Sequence, residues 1–98
     1  MNWVVLLRPA AESDLTAARD WYEQQQPGLG SEFVDEVAAA MRLLESVPER
    51  ERLYYRNFRR VLLDRFPYKI FYQVIDRRVV IFRVLHSRQC HDSLEQRS

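Results

Sequence analysis

The side chains best suited to chemistry lie near the end of the chain, where His86, Cys90 and His91 occur within six residues. A structural zinc site needs four nitrogen or sulfur ligands and usually paired cysteines. Cys90 is the only cysteine, and no carboxylate lies between it and His86, so the spacing does not predict a metal site. Cys90 and His91 are adjacent, and adjacent side chains of an extended segment point apart. They are therefore not expected to act as a nucleophile and its base.

Cationic side chains are the second chemical feature, and they are unevenly distributed. Residues 1–49 contain three basic and nine acidic side chains, a net charge of −6, whereas residues 50–98 contain twelve and five, a net charge of +7. Such asymmetry predicts a positive surface for an acidic partner, either nucleic acid or an acidic protein segment. The alternative is that the two halves attract each other within the fold.

Composition limits the class of protein. The 98 residues, 47% hydrophobic and 30% charged, predict one folded domain over residues 1–98, with a polar tail at 89–98 that is either a frayed helical turn or disordered. The single cysteine favours a reducing cytoplasm, and no apolar run or basic leader predicts membrane insertion or secretion. The chain contains only two glycines, so no glycine-rich phosphate loop and no cofactor are expected.

The chain begins with the pattern of a strand followed by a helix. Residues 3–8 form a short, mostly apolar run that Pro9 ends, which predicts a strand buried on both faces inside the sheet. Apolar residues then recur every three or four positions. This periodicity predicts an amphipathic helix that begins between Ala10 and Ser13.

A second helix is predicted directly after the first. Pro27 and its neighbouring glycines interrupt the helical pattern, and Ser31 is the expected N-cap of the next helix. Its apolar stripe continues to Val47, where Pro48 ends it. Because the link is short, we expect the two helices to be antiparallel neighbours.

The second half of the chain predicts a sheet. Residues 58–63, 68–75 and 79–85 are rich in aromatic and β-branched types and are separated by turn residues, which indicates a three-stranded antiparallel meander. Residues 49–55 are interpreted as a loop whose last three residues could lengthen the first meander strand. The predicted fold is α+β, with a helical hairpin packed on one face of the sheet.

Alternation divides the last predicted strand between the two faces of the sheet. The residues expected to face the helices are Val80, Phe82, Val84 and His86. Those expected on the uncovered face are Ile81, Arg83, Leu85 and Ser87. Arg83 would then lie on the uncovered face, where Lys69 and either Arg59 or Arg60 could complete a basic concavity. An ordinary solvated sheet face is the alternative.

Several local motifs occur together in this order. They are, in the first half, Ala11-Glu12-Ser13-Asp14-Leu15, Trp21-Tyr22, Pro27-Gly28-Leu29-Gly30 and Phe33, and, in the second half, Phe66-Pro67-Tyr68-Lys69-Ile70-Phe71-Tyr72 and Val84-Leu85-His86-Ser87-Arg88. With the order of elements, they resemble the RelE/ParE superfamily of toxins from bacterial type II toxin–antitoxin systems. The second group looks like the ParE-type branch, and the resemblance spans residue 3 to about residue 94.

This resemblance implies a cytoplasmic toxin that arrests growth and that a co-expressed antitoxin silences by wrapping a flexible segment around it. Within the superfamily, one branch cuts messenger RNA on the ribosome, whereas the ParE branch poisons DNA gyrase and is not regarded as a nuclease. The residues expected to bind the target or the antitoxin are Arg59, Arg60, Lys69, Arg83 and Arg88.

The nuclease alternative needs a base for the 2′-OH, cations for the developing charge and an acid for the leaving oxygen. Lys69 and Arg88 match two basic positions of RelE-type members, but the position of their tyrosine falls at Leu94. A nuclease would have to use His86 for proton transfer, with Arg83 as a further phosphate contact. We expect His86 instead to be a packed or capping histidine. The resemblance therefore favours a ParE-like gyrase inhibitor without chemistry of its own, the alternatives being a ribosome-dependent messenger-RNA endonuclease and a non-toxic, antitoxin-binding relative.

Overall fold

The structure is a computed structural model that describes residues 3–88. This part of the chain contains five strands and two helices. In chain order they are β1 Val4–Leu7, α1 Pro9–Gln25, α2 Leu29–Ser46, β2 Leu53–Tyr55, β3 Phe58–Leu62, β4 Tyr68–Ile75 and β5 Arg78–His86. The strands form one sheet in the order β1-β5-β4-β3-β2, in which β1 runs parallel to β5 and the other neighbours are antiparallel. The predicted α+β fold is confirmed, while the expectations for the tail, Cys90, His91 and Leu94 fall outside the described residues.

Strand β1 is at an edge of the sheet, so the prediction of an interior strand buried on both faces was wrong. Within residues 3–88 it pairs with β5 alone, and its side chains alternate: Val4 is 56% and Leu6 42% exposed, whereas Val5 and Leu7 pack against the core. A continuous apolar run is compatible with an edge strand when one of its faces stays open. The exposed valine and leucine therefore belong to a surface of the molecule and not to its core.

Helix α1 begins at Pro9, earlier than the predicted interval from Ala10 to Ser13. Proline suits the first helical position because its ring fixes φ and its missing N–H would have had no partner there. Arg8, in an extended conformation, precedes the helix. The helix ends at Gln25, and the extended Gln26 is the conformation that a residue before a proline favours.

The start of α2 differs from the prediction. The helix begins at Leu29, after Gly28 with a φ of +90°, so Ser31 lies inside the first turn and is not the N-cap. The capping acceptor comes from α1: the Glu23 carboxylate accepts the N–H groups of Gly28 at 2.9 Å and Gly30 at 3.0 Å. Gly30 also allows close packing of the helices, since a Cβ there would be 2.7 Å from the carbonyl oxygen of Arg19.

Replacing Glu23 with alanine should lower the free energy of unfolding by about 1–2 kcal/mol, because two helix-terminal N–H groups lose their acceptor. Urea unfolding followed by circular dichroism measures this. The neighbouring Gln24, also exposed, provides the control, since Gln24→Ala should change stability by less than about 0.5 kcal/mol. Equal losses for the two variants would contradict the capping role.

The hydrophobic core lies between the helices and one face of the sheet. The side chains buried there come from α1, α2, β4, β5 and the β3–β4 turn, and they are Ala11, Ala18, Phe33, Val37, Leu44, Phe66, Ile70, Tyr72, Val79, Ile81 and Val84. Phe33 is central, with ring centroids 5.3 Å from both Tyr22 and Phe66. The helical hairpin thus covers one face of the sheet, as predicted.

The predicted meander gains one strand and a bulge. Residues 53–55 form a separate strand, β2, which pairs antiparallel with β3 across a turn at Arg56 and Asn57. In β5, Arg83 is opposite Phe71 and Ile81 is opposite Tyr72, so Phe82 is an extra residue in the ladder.

The bulge changes which side chains face the helices. Val84 does so as predicted, but before the bulge Val79 and Ile81 are in the helix-facing core, so the predictions for Val80, Phe82 and Ile81 were wrong. Phe82 belongs instead to a smaller cluster on the opposite face, with Leu85 as predicted. Strict alternation fails here because one inserted residue reverses it.

Candidate functional site: the open sheet face

The face of the sheet that points away from the helices is the candidate site, and it is called the open face below. Antiparallel partners share a face, so Arg60 opposite Phe71, and Leu62 and Leu85 opposite Lys69, mark it across three strands. Its buried cluster, Phe58, Phe71 and Leu85 with Tyr55 and Phe82 packed against it, contains only strand residues. Within residues 3–88, neither helix contributes to this cluster.

Cations lie over the aromatic rings of the open face. The Arg60 guanidinium is 3.8 Å from the ring centroid of Tyr54, and that of Arg8 is 4.7 Å from the ring of Phe82. The Lys69 ammonium is 5.6 Å from the ring of Phe71 on the same face. Such contacts are worth about 0.5–1 kcal/mol at exposed sites and fix the positions of the cations.

Charge is separated between the two layers of the fold. The five strands contain no acidic residue and five basic ones: Arg59, Arg60, Lys69, Arg78 and Arg83. Helices α1 and α2 each contain four acidic residues and one arginine. The asymmetry between the two halves of the sequence therefore becomes a basic sheet beneath an acidic helical layer.

Part of this charge is used inside the fold. Asp14 of α1 pairs with Arg83, and Glu32 of α2 pairs with Arg65 at 2.6 Å. Glu36 accepts the backbone N–H groups of Asp64 at 2.6 Å and Arg65 at 2.9 Å. The attraction between the two halves of the chain is thus a real contribution, although it involves only some of the basic residues.

Arg83 does not extend onto the open face, and its predicted placement there was wrong. Its Nε is 2.8 Å from Oδ2 of Asp14 and its Nη2 is 3.0 Å from Oδ1, and the hydrogen bond raises the pKa of the guanidinium. The same carboxylate accepts the N–H of Val84 at 3.0 Å. Asp14 thereby fastens α1 to β5 immediately after the bulge.

The structure distinguishes the other predicted cations. Arg60 is opposite Phe71 on the open face, whereas Arg59 is opposite Tyr72 on the helix-facing side and donates to the carbonyl oxygen of Glu51. Lys69 is on the open face as expected, but it is only 8% exposed. A ligand would therefore contact Arg60 directly and experience Lys69 mainly through its charge.

His86 lies apart from Lys69. It is opposite Tyr68, with ring centroids 5.3 Å apart, while Lys69 is opposite Leu85. Consecutive positions of a strand point to opposite faces, so the imidazole and the ammonium do not converge. Nδ1 of His86 accepts the backbone N–H of Arg88 at 3.1 Å, in agreement with the predicted capping histidine.

Sequence reasoning missed Arg8 as a residue of the open face. It is two positions after Leu6, and strand alternation puts those two residues on the same face, which was the available signal. Tyr54 was missed because residues 53–55 were interpreted as the end of a loop or an extension of the first meander strand, and not as a separate strand paired with β3. The open face thus combines aromatic rings, aliphatic side chains and guanidinium groups, which suits the binding of carboxylates or phosphates beside apolar groups.

Residues 3–88 lack a metal-binding cluster and a membrane-spanning helix. This part of the chain has no cluster of three or more histidine, cysteine, aspartate or glutamate side chains that could hold a metal ion. Neither of its helices is long and apolar enough to cross a membrane.

Residues 5–90 match the family model described as the ParE toxin of type II toxin–antitoxin system, parDE. Among solved structures, a chromosomal ParDE toxin–antitoxin system from P. aeruginosa is similar, with a TM-score of 0.77 and 19% identity over 86% of this chain and 95% of that one. The RelBE2 toxin–antitoxin complex from Mycobacterium tuberculosis is similar with a TM-score of 0.60 and 23% identity over 88% and 99%. No curated protein sequence matches this chain significantly.

Proposed function

Because this chain belongs to the ParE toxin family of type II toxin–antitoxin systems, we propose that it inhibits DNA gyrase in the cytoplasm, arrests growth and is neutralised by a cognate antitoxin. The inhibition is by binding, without chemistry of its own. The observation that carries the proposal is the open face, where Arg8 and Arg60 lie over aromatic rings on a sheet without acidic residues. Such a surface can bind an acidic segment of another protein.

The arrangement of the candidate catalytic residues supports binding over RNA cleavage. A metal-independent nuclease needs a proton-transfer group beside its phosphate-binding cations. His86 is on the other face from Lys69, and Arg83 is occupied by Asp14. The proposed contact residues are consequently Arg8, Arg60 and the exposed Arg88, with Lys69 adding charge.

A supercoiling assay tests this proposal. The purified protein should block supercoiling of relaxed plasmid by DNA gyrase, and Arg60→Glu should raise the concentration needed for half-inhibition about tenfold or more. Arg42→Glu makes the same charge change at an exposed site on α2 and should inhibit like the parent protein.

Other results would contradict the proposal. Normal supercoiling at saturating protein, together with cut messenger RNA on translating ribosomes, would indicate a nuclease. If gyrase and message are both unaffected, the chain is a relative that binds only the antitoxin. Equal effects of Arg60→Glu and Arg42→Glu would remove the open face from the contact surface.

A further inference from the structure

The outer edge of β3 is only partly covered by β2. Their pairing reaches Arg59, which is opposite Leu53, whereas β3 continues to Leu62. The N–H of Leu63 points to β4, where it donates to Tyr68 at 3.0 Å. Backbone groups alternate along an antiparallel strand, so the N–H and C=O of Leu62 point outward. Among residues 3–88, no strand lies beside Leu62 on that side.

The next outward position after Leu62 is already satisfied from α2. The Glu36 carboxylate accepts the N–H of Asp64 at 2.6 Å and that of Arg65 at 2.9 Å. The open segment of the edge is therefore bounded by β2 on one side and by Glu36 on the other. It has room for a strand of about three residues, or about 10 Å.

A cavity lies on each side of this open segment. On the helix side, between α2 and β3, a groove of about 230 Å³ has a mostly aliphatic lining: Ala39, Ala40, Leu43, Val61, Leu62 and Leu63, together with Glu36 and Asp64. On the open face, a groove of about 380 Å³ is lined by Glu51, Arg52, Leu53, Tyr54, Arg60 and Leu62. Leu62, 58% exposed, lines both grooves.

We propose that this edge binds a short extended segment of a partner protein in which an aliphatic and an acidic residue are neighbours. The backbone of the segment pairs with Leu62, at the part of the β3 edge that β2 does not cover. Neighbouring side chains of an extended segment point to opposite faces, so the aliphatic one enters the groove beside Leu43 and the acidic one meets Arg52 and Arg60. Two arginines against the single Glu51 make that second groove positive.

This inference deepens the proposed function, on which its choice of partner rests: the segment belongs to the antitoxin. An antitoxin with this segment would cover Arg60, one of the cations proposed to contact gyrase. Neutralisation would then follow from competition for one edge of the open face, without any change in the fold of the toxin.

The binding test uses synthetic peptides and needs neither gyrase nor antitoxin. The probe is a capped peptide of about seven residues in which valine alternates with aspartate or glutamate, and the control peptide has lysine at the acidic positions. In an NMR titration, the acidic peptide should shift the amide signals of Leu62 and Arg60 and bind about tenfold or more tightly than the lysine peptide. Equal affinities, or shifts confined to other parts of the chain, would overturn the proposal.

Three variants measure separately how much each groove and the backbone pairing contribute to peptide binding. Leu62→Pro removes the outward N–H, Arg60→Glu reverses the charge and Leu43→Asp places a carboxylate in the aliphatic groove, and each should weaken binding about tenfold. Val34→Asp is the matched control, because Val34 and Leu43 are both 40% exposed on α2 but Val34 does not line the groove. Equal weakening by Val34→Asp and Leu43→Asp would overturn the site.

The supercoiling assay and the peptide titration can fail separately. If the protein does not inhibit gyrase but binds the acidic peptide at Leu62, the proposed target is wrong and the docking site stands. If it inhibits gyrase but does not distinguish the peptides, the docking site is wrong and the proposed target stands.

Discussion

Replacing Asp14 with alanine should lower the free energy of unfolding by about 3 kcal/mol, because one carboxylate holds three donors. They are Nε and Nη2 of Arg83 and the N–H of Val84, at 2.8, 3.0 and 3.0 Å. Both charged side chains are largely covered, with 19% of Arg83 and 16% of Asp14 exposed. Truncation would leave a mostly buried guanidinium without this carboxylate, which costs more than the loss of a solvated ion pair.

The chain offers a matched control for this prediction on the same helix. Asp20 pairs with Arg19 at 3.0 Å, but their side chains are 56% and 51% exposed. Asp20→Ala should therefore cost less than about 0.5 kcal/mol in urea unfolding. If the two alanine variants lose the same stability, burial of the Asp14–Arg83 pair has no effect and the argument is wrong. Arg83→Met added to Asp14→Ala should recover part of the loss, since it removes the largely buried charge that has lost this carboxylate.

The Asp14 contact also shows why the faces of β5 could not be predicted from its own residues. A prediction from alternation uses only the residues of the strand itself, 78–86. The segment after the bulge at Phe82 is held by the Asp14 carboxylate, about 70 positions earlier in the chain. After the bulge, Val84 and Leu85 take the predicted faces. Ile81 and the extra residue Phe82 have the reverse of their predicted faces. Arg83, directly after the extra residue, is directed to α1 instead of the open face.

Other elements were predictable because their signals are local. Helical periodicity and the prolines at positions 9, 27 and 48 place both helices to within a few residues, and turn residues separate β3, β4 and β5. The position of β1 in the sheet is not a local property, since an apolar run fits an interior strand or an edge strand with an open face. Strand alternation, a local signal, predicted Lys69 and one of Arg59 and Arg60 on the open face, whereas the contact of Arg8 with Phe82 needed the fold.

Alkaline pH should destabilise the protein through Tyr72, which is fully buried and donates its O–H to the carbonyl oxygen of Pro48 at 2.7 Å. Burial raises the pKa of Tyr72 to about 12, and the charge of Glu51 acts in the same direction. In the unfolded chain this phenol ionises near pH 10. Its contribution to stability is therefore complete below pH 10 and falls as the pH rises to 12, by about 2–3 kcal/mol in all.

Tyr72→Phe isolates this contribution. At pH 8 the variant should be less stable by about 1–2 kcal/mol, because the Pro48 carbonyl oxygen loses its buried donor. Between pH 10 and 12 its free energy of unfolding should fall less steeply than that of the parent, although Tyr22 and Tyr68, whose pKa values burial also raises, still contribute. Urea unfolding at a series of pH values measures both slopes. Parallel slopes would show that the ionisation of Tyr72 is not what weakens the folded state.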